Sequence, residues 1–540
     1  MHHCLSIDEI LQKIASSVAA YSLDDQHEYE MEILRMKISD KKSLLSFILT
    51  CRTFAEPGLD VLWSRLNNIF PLAFAFLPDV SPRLVRATDN LTETVIGLTR
   101  IPGPEDWIHF NRYARRLKTL IQSHDTPCNV DIRFLAEISL HRRTGNLFPN
   151  LSALCWRDSR QDHFPYISLF MGPSLTKVDI KIFSEDMYIA FWDLLRHSAP
   201  AIHDIHIDVV KFEVSDLALN SLTNALPSFK QLTKLCSPNA LLRGGLELSP
   251  EQLVSLPSTL RYLQYRFRAH TNLGALQGVD ATSEDRFPVL DTLKVHIYDS
   301  STMDLLRMFM EHHKLPTLTT FIVFLYWKPL AFQLQQLFEA LKDKSRLNSI
   351  LLRCVSIKRI VFPQHLITDS MLTPLFAFDL IAFGLVDVPH KITRTSLSKM
   401  AESWPKLCSL VICTTHPSQT GLHDHIHVQD LDVFANKLPG LCSMRLTLDM
   451  SVTDKIKTHL SAHTIRRSYG MPELDIVNPR MPDTLAQTQI AAYVTSIFPN
   501  VHVKSPQTEL ETFITLIELF KSVRESERRK SRMKVSSSGR

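Results

Sequence analysis

One phrase recurs from Leu151 onward, and it limits the possible folds more than any other feature of the chain. It is an aliphatic residue, a second apolar residue three positions on, and a third five positions on. It reads NLSALCW at Leu151, SLTKVDI at Leu175, AIHDIHI at Ile202, QLTKLCS at Leu232, TLRYLQY at Leu260, VLDTLKV at Leu290, TLTTFIV at Leu318, RLNSILL at Leu347, PLFAFDL at Leu375, KLCSLVI at Leu407 and GLCSMRL at Leu441. These eleven copies begin 24 to 34 residues apart, and the fourth has Ser237 at its third position. Between several copies the apolar residues switch to a helical period, most clearly over 186–197, 303–312 and 331–342. Pro149, Pro173, Pro288 and Pro405 precede the phrase and stop each helix before the next strand. A short strand followed by a helix, repeated in order, predicts an α/β array: a parallel sheet inside with helices outside. No unit buries its strand alone, so the array folds as a stack. Eleven strands at ~4.8 Å spacing predict a curved sheet on the order of 50 Å long.

A fixed phrase at this period is the mark of a leucine-rich-repeat solenoid. Regular repeats of that kind place Asn or Cys eight residues after the first Leu, where it closes a buried hydrogen-bonded ladder. Those positions here hold Ser159, Phe183, Val210, Ala240, Arg268 and Tyr298. The ladder is absent, so the turns must be satisfied in another way and the curvature is expected to be uneven.

The N-terminal stretch is organised differently. LSIDEILQKIASSV gives an amphipathic helix with Ile7, Ile10, Leu11, Ile14 and Val18 on one face. KKSLLSFILT gives a second, with Leu44, Leu45, Ile48 and Leu49, and LDVLWSRL a third, with Leu59, Leu62, Trp63 and Leu66. Pro57 and Gly58 are expected to break the chain between the last two. Three short helices carry more apolar surface than about sixty residues can cover, so the surplus should seek a partner.

The order LSIDEIL, LLSFILTCRTF, LDVLWSRL resembles an F-box, and is most similar to those of mushroom-forming fungi, where LWSRL is followed by text like FPLAFAFLP. Two features depart from that pattern. Ile7 stands at the usual proline, and an acidic insertion near 21–40 separates the first two helices. The resemblance implies a three-helix module over 1–66 that binds the Skp adaptor, and through it a cullin. The adaptor-facing residues it implies are Leu5, Ile7, Ile10, Leu11, Leu44, Leu45, Leu49 and Trp63, some of which must instead hold the helices together. Residues 67–149 then read as a proline-containing helical connector, 150–511 as the repeat domain, and 512–540 as a helix followed by a basic disordered tail with Arg528, Arg529, Lys530, Arg532 and Lys534.

Several function classes find no support. Glycine is scarce, 14 in 540 residues, and neither GxxxxGK[ST] nor GxGxxG occurs. GxSxG, HExxH and CxxC are also missing. A net charge of +4 is too small to argue for nucleic acid. Nine unpatterned cysteines and no basic-then-apolar leader predict reduced thiols in cytoplasm or nucleus. The most apolar run, 375–388, is interrupted by Asp379 and Asp387, so no membrane span is expected. His423, His425 and His427 alternate along HDHIH and could share one metal ion, but they fall in an inter-repeat loop, where polar histidines are ordinary. His312 and His313 fit the negative end of a helix. No catalytic set, metal or cofactor is expected.

The expected function is therefore substrate recruitment to a ubiquitin ligase by placement. The alternative is a leucine-rich-repeat scaffold outside ubiquitination. Residues two, four and six after the first Leu should face the concave side. They include Arg157, Lys177, Lys181, Tyr262, Arg266, Lys294 and His296, then Ile322, Phe324, Leu351, Ile381 and Val411. That predicts a basic, aromatic surface followed by an apolar one, suited to a protein substrate with an acidic stretch and a hydrophobic anchor.

Overall fold

A computed structural model describes residues 8–19, 21–23, 34–36, 38–76, 82–86, 92–96, 100, 102–123, 128–130, 132–141, 146–210, 212, 214–237, 246–267, 286–355, 363–414, 426–450, 473–477, 484–504 and 510–538. The chain forms two compact units, Met1–Arg266 and Phe267–Arg540.

The first unit opens with helices α1 (Asp8–Val18), α2 (Ile38–Thr50) and α3 (Arg52–Ser64). Ala15, Ala19, Leu44, Ile48 and Val61 form their core, with Val18, Phe47, Ala55, Leu59 and Leu62 packed against it. Within the 21–40 insertion, Tyr21–Leu23 pairs antiparallel with Leu34–Met36. The expected break at Pro57–Gly58 is corrected: the chain breaks at Cys51, and Pro57 lies inside α3. Proline there removes the N–H that would reach the Thr53 carbonyl, only one turn from the start of the helix. Gly58 is what the position needs, since a Cβ there would collide with the Ile48 side chain. The missing side chain lets α2 and α3 pack closely.

α3 runs directly into a strand, Arg65–Leu66, the edge of an open sheet. Next come Thr119–Ser123, Ala153–Arg157, Lys177–Ile182, Asp204–Val209, Lys234–Cys236 and Tyr262–Phe267, each parallel to the last. The register Arg65, Thr119, Ala153, Lys177, Asp204, Lys234, Tyr262 is unbroken. The sheet thus starts before Leu151, inside the stretch expected to be a helical connector. That stretch also holds a second sheet of Pro82–Arg86, Thr92–Ile96 and Cys128–Val130. A file of rings, Trp107, Phe110, Phe148, Phe170 and Trp156, runs from helix Pro104–Ala114 to the ladder at centroid spacings of 5.7, 5.8, 5.0 and 5.5 Å.

The second unit repeats the plan. Thr292–Ile297, Thr320–Leu325, Ser349–Cys354, Ala382–Val386, Ser409–Cys413, Ser443–Leu446, Glu473–Ile476 and His502–Lys504 form a parallel ladder. The ninth copy of the phrase is corrected: Ser349 pairs with Ala382, so the true copy starts at Leu380, and Leu375 belongs to a 3-10 helix, Asp369–Ala377. The C-terminal helix, Glu511–Ser538, continues through the stretch expected to be a disordered tail. Ion pairs Lys521–Glu518 and Arg529–Glu525 stand one turn apart on it, and Arg524 bonds the Thr495 and Ala492 carbonyls at 2.9 and 2.8 Å.

In both units alternate strand residues are buried completely: Leu154, Val178, Ile205, Leu235 and Leu263 in one, Leu293, Phe321, Ile350, Phe383, Leu410 and Met444 in the other. Each contributes about 1.5–3 kcal/mol of burial, which explains why the phrase recurs. Helix starts carry their own signals. Ser184 accepts from the Met187 N–H, and Asp299 from that of Thr302 at 2.8 Å. Near the positions of the missing Asn/Cys ladder, backbone N–H groups reach the previous repeat: Val210 donates to Ile182 at 2.9 Å, Tyr326 to Ile297 at 2.8 Å and Val355 to Leu325 at 2.6 Å. At the start of many strands two consecutive N–H groups also donate to one carbonyl of the previous repeat. Thr176 and Lys177 donate to Ser152 at 2.9 and 3.0 Å, and Asn348 and Ser349 to Thr319 at 3.0 Å. The turns are satisfied without a side-chain ladder.

Candidate functional site

Packing separates the residues of the N-terminal module into two sets. Leu11 and Leu44 are fully buried, so they hold the helices together instead of facing a partner. Ile10 is half-buried. Trp63 is half-buried and lies 4.4 Å from the ring of Tyr113. Leu5 and Ile7 lie outside the described residues. What remains outward is Leu45 at 48%, Leu49 at 76% and Ile14 at 37% exposure. Leu45 and Leu49 stand one turn apart on α2, about 100° around the helix from the side that buries Leu44 and Ile48.

Ion pairs and a backbone bond fasten the module to helix Pro104–Ala114 and the start of the ladder. Glu56 takes Arg112 at 2.5 Å and also Arg116, and Arg116 pairs with Asp60 as well. Hydrogen bonds from Arg116 and then Arg112 hold the Glu56 carboxyl below its usual range. The Lys118 N–H donates to the Ser64 carbonyl at 2.8 Å, joining the end of α3 to the ladder. An open cleft of about 790 Å³ lies at this junction, lined by Glu56, Asp60, Arg112, Arg115, Arg116 and Asn150 among others.

On the opposite face of the first unit's ladder, the expected basic strip is corrected. Carboxylates from the same strands interleave with the cations. Lys177 pairs with Asp204 at 3.1 Å, and Lys181 lies 5.5 Å from the Phe183 ring centre. Asp179, fully buried, takes Arg157 at 3.0 and 3.2 Å and His206 at 3.2 Å. Burial opposes ionisation of Asp179, but the His206 and Arg157 charges outweigh it and keep the carboxylate ionised. Burial likewise opposes the imidazolium of His206, and the Asp179 charge raises it above its usual value. Arg266 is buried in an ion pair with Glu247. Tyr262 donates to Gln264 at 3.0 Å and carries the Lys234 ammonium 5.0 Å from its ring centre.

The second unit offers a different face. His296 is buried and stacked at 4.6 Å on Phe324, itself buried, with the Tyr326 hydroxyl 3.2 Å from its Nδ1. Tyr298 stacks on Tyr326 at 4.4 Å. One register step away, Lys294, Ile322, Leu351, Gly384 and Val411 form a row. Ile322, Leu351 and Val411 are half-buried, and Leu351 leans over Gly384, where a Cβ would collide with it. With the ninth copy re-registered, Ile381 leaves this face, and Val386, six residues after Leu380 and paired with Arg353, stands at the position expected for it.

Of the histidine cluster, His423 and His425 lie outside the described residues; His427 is half-buried, 3.8 Å from Asp449. Among the described residues, no three His, Cys, Asp or Glu side chains gather to hold a metal ion. His312 bonds the Met308 carbonyl at 2.8 Å in the last helical turn. His313 is buried against Phe309 and Phe287, and burial, then the charges of His312, Arg286 and Lys344, push it down to about 4. Among the described residues, no helix is long and apolar enough to cross a membrane.

The fold and its surfaces define an α/β protein with long parallel ladders, helices along them, and a helical module at one end. No protein-family model matches the chain, and no curated protein matches it.

Proposed function

We propose that the chain is the substrate-recognition subunit of a Skp–cullin–F-box ubiquitin ligase. In this reading α1–α3 are the F-box, the ladders are leucine-rich repeats, and the protein performs no chemistry of its own. One observation carries the proposal. The stretch whose sequence resembles an F-box leaves Leu45 and Leu49 uncovered on one helix face while Leu44 and Ile48 fill the module's core. Both exposed leucines belong to the set that the resemblance assigns to the adaptor. Burying each against a partner contributes about 1.5–3 kcal/mol before the cost of association. The Glu56–Arg112–Arg116–Asp60 cluster and the run of α3 into the sheet support the placement role, because a fixed module sets the distance from ligase to substrate. For the substrate, the half-buried row of Ile322, Leu351 and Val411 suits an apolar anchor.

The test is co-purification of Skp adaptor and cullin with tagged wild-type protein and with Leu45→Asp/Leu49→Asp. Both positions face solvent, so the variant keeps its fold, which circular dichroism checks. Wild type should retain adaptor and cullin, and the variant should lose both. Wild-type protein without either would leave only a scaffold role. Ubiquitin-remnant proteomics with and without the protein then identifies the substrate.

A further inference from the structure

The row that closes the turns contains one irregularity. In this row, each residue's N–H donates to the carbonyl of its counterpart in the previous repeat. In several repeats the residue is Ser or Thr, and its hydroxyl donates to the same carbonyl: Ser152 to Lys118 at 3.0 Å, Thr176 to Ser152 at 3.0 Å, Thr319 to Asp291 at 3.1 Å. In the second unit two consecutive members are Cys408 and Cys442. The Cys408 N–H donates to Ile381 and the Cys442 N–H to Cys408, both at 2.8 Å. The strands just after them are in register, Ser409 opposite Ser443.

Two residues at one row position of adjacent parallel strands have α-carbons about 4.8 Å apart. That lies inside the roughly 4.4–6.8 Å that a disulfide spans, and side chains of one row point the same way. Cys442 is exposed and Cys408 half-buried, so reagents in solution reach the pair. The Cys442 sulfur also lies 3.2 Å from the Gly440 carbonyl. A hydrogen bond with Cys408, then slight burial, raises the Cys442 thiol above its usual value.

We propose that Cys408 and Cys442 form a paired-thiol modification site that reacts with small disulfides and closes into a disulfide between two neighbouring repeats. The thiolate of Cys442 attacks one sulfur of the small disulfide and expels the other as a thiolate, leaving a mixed disulfide. The Cys408 sulfur then attacks the Cys442 sulfur and expels the second small thiolate. The two protons of the cysteines end on the two released thiols. Two electrons pass from the protein to the reagent. The product staples the strands Ser409–Cys413 and Ser443–Leu446, next to the row that holds Val411.

The full-length protein is incubated with oxidised glutathione and, separately, with phenylarsine oxide, which needs two close thiols to bind with loss of water. Peptide mapping reads the products. Wild type should give one cross-linked 408–442 peptide pair, reversed by dithiothreitol, and one arsenical bridging the two. Cys408→Ser and Cys442→Ser each place at that row a residue type that other repeats already carry, so both should fold. Each should lose the cross-link and the bridging arsenical, and keep one glutathione on the remaining cysteine. Two separate glutathione adducts on wild type without a linked peptide would overturn the proposal. So would equal arsenical binding at this site by Cys442→Ser and wild type.

Discussion

The two units build the same ladder, yet their opposite faces differ at equivalent positions. Four residues after the first Leu, the first unit places Asp179 and His206 side by side. The second places Ile322, Leu351, Gly384 and Val411 there, between Lys294 on one side and an Arg445–Asp475 ion pair at 3.0 Å on the other. The residues turned the other way are buried apolar residues in both. One set of alternate residues therefore builds the ladder, and the other set is free to vary. In the first unit that freedom has produced paired charges closed on themselves. In the second it has left a run of half-buried apolar side chains, Ile322, Leu351 and Val411, between charged neighbours.

The difference is broken most severely at Asp179. Asp179→Ala leaves Arg157 and His206 facing each other without their shared anion, a loss of about 3–5 kcal/mol. Urea denaturation should show it, whereas Val411→Ala, on a half-buried apolar residue, should cost much less.

pH separates the units next, and in opposite directions. His313 has its pKa pushed down to about 4. An unfolded histidine titrates near ~6.5, so the stability this group contributes is present above that value. It is lost as pH falls from there through about 4, on the order of 3 kcal/mol. His206 has a raised pKa, so its contribution is complete below the unfolded value and is lost as pH rises through the folded one. Stability curves of His313→Leu should lose the acid slope and those of His206→Gln the alkaline slope; the reverse assignment would contradict the packing described.

The smallest effect is expected at the apolar row. Gly384→Val crowds Leu351 and should cost about 1–2 kcal/mol. Adding Leu351→Ala should restore part of it, because the two changes share one space. Additive losses would mean that the collision is relieved elsewhere.

Much of the architecture is legible in the sequence because Leu-x-x-Leu-x-Leu marks buried strand positions directly. It fails where another pattern imitates it or a polar residue interrupts it. PLFAFDL satisfies the phrase through the apolar side of a 3-10 helix, five residues before the true copy at Leu380. Leu117, Leu120 and Gln122 hide the strand Thr119–Ser123, since buried Gln122 accepts from the Ile69 N–H at 3.2 Å where an aliphatic would sit. The two sides of α2 need tertiary packing to sort, because Leu44 and Leu45 look alike in a hydrophobic pattern. The charge network left a signal that reading cations alone passes over. Aligning the copies places Arg157, Asp179 and His206 on neighbouring strands and predicts their pairing.

The most direct measurement is calorimetric titration of purified Skp adaptor into the full-length protein and into Leu45→Asp/Leu49→Asp. The account predicts one-to-one binding to wild type with a negative heat-capacity change, and at least a hundredfold loss in the folded variant. Binding of equal strength by both proteins, or none by wild type, would contradict it.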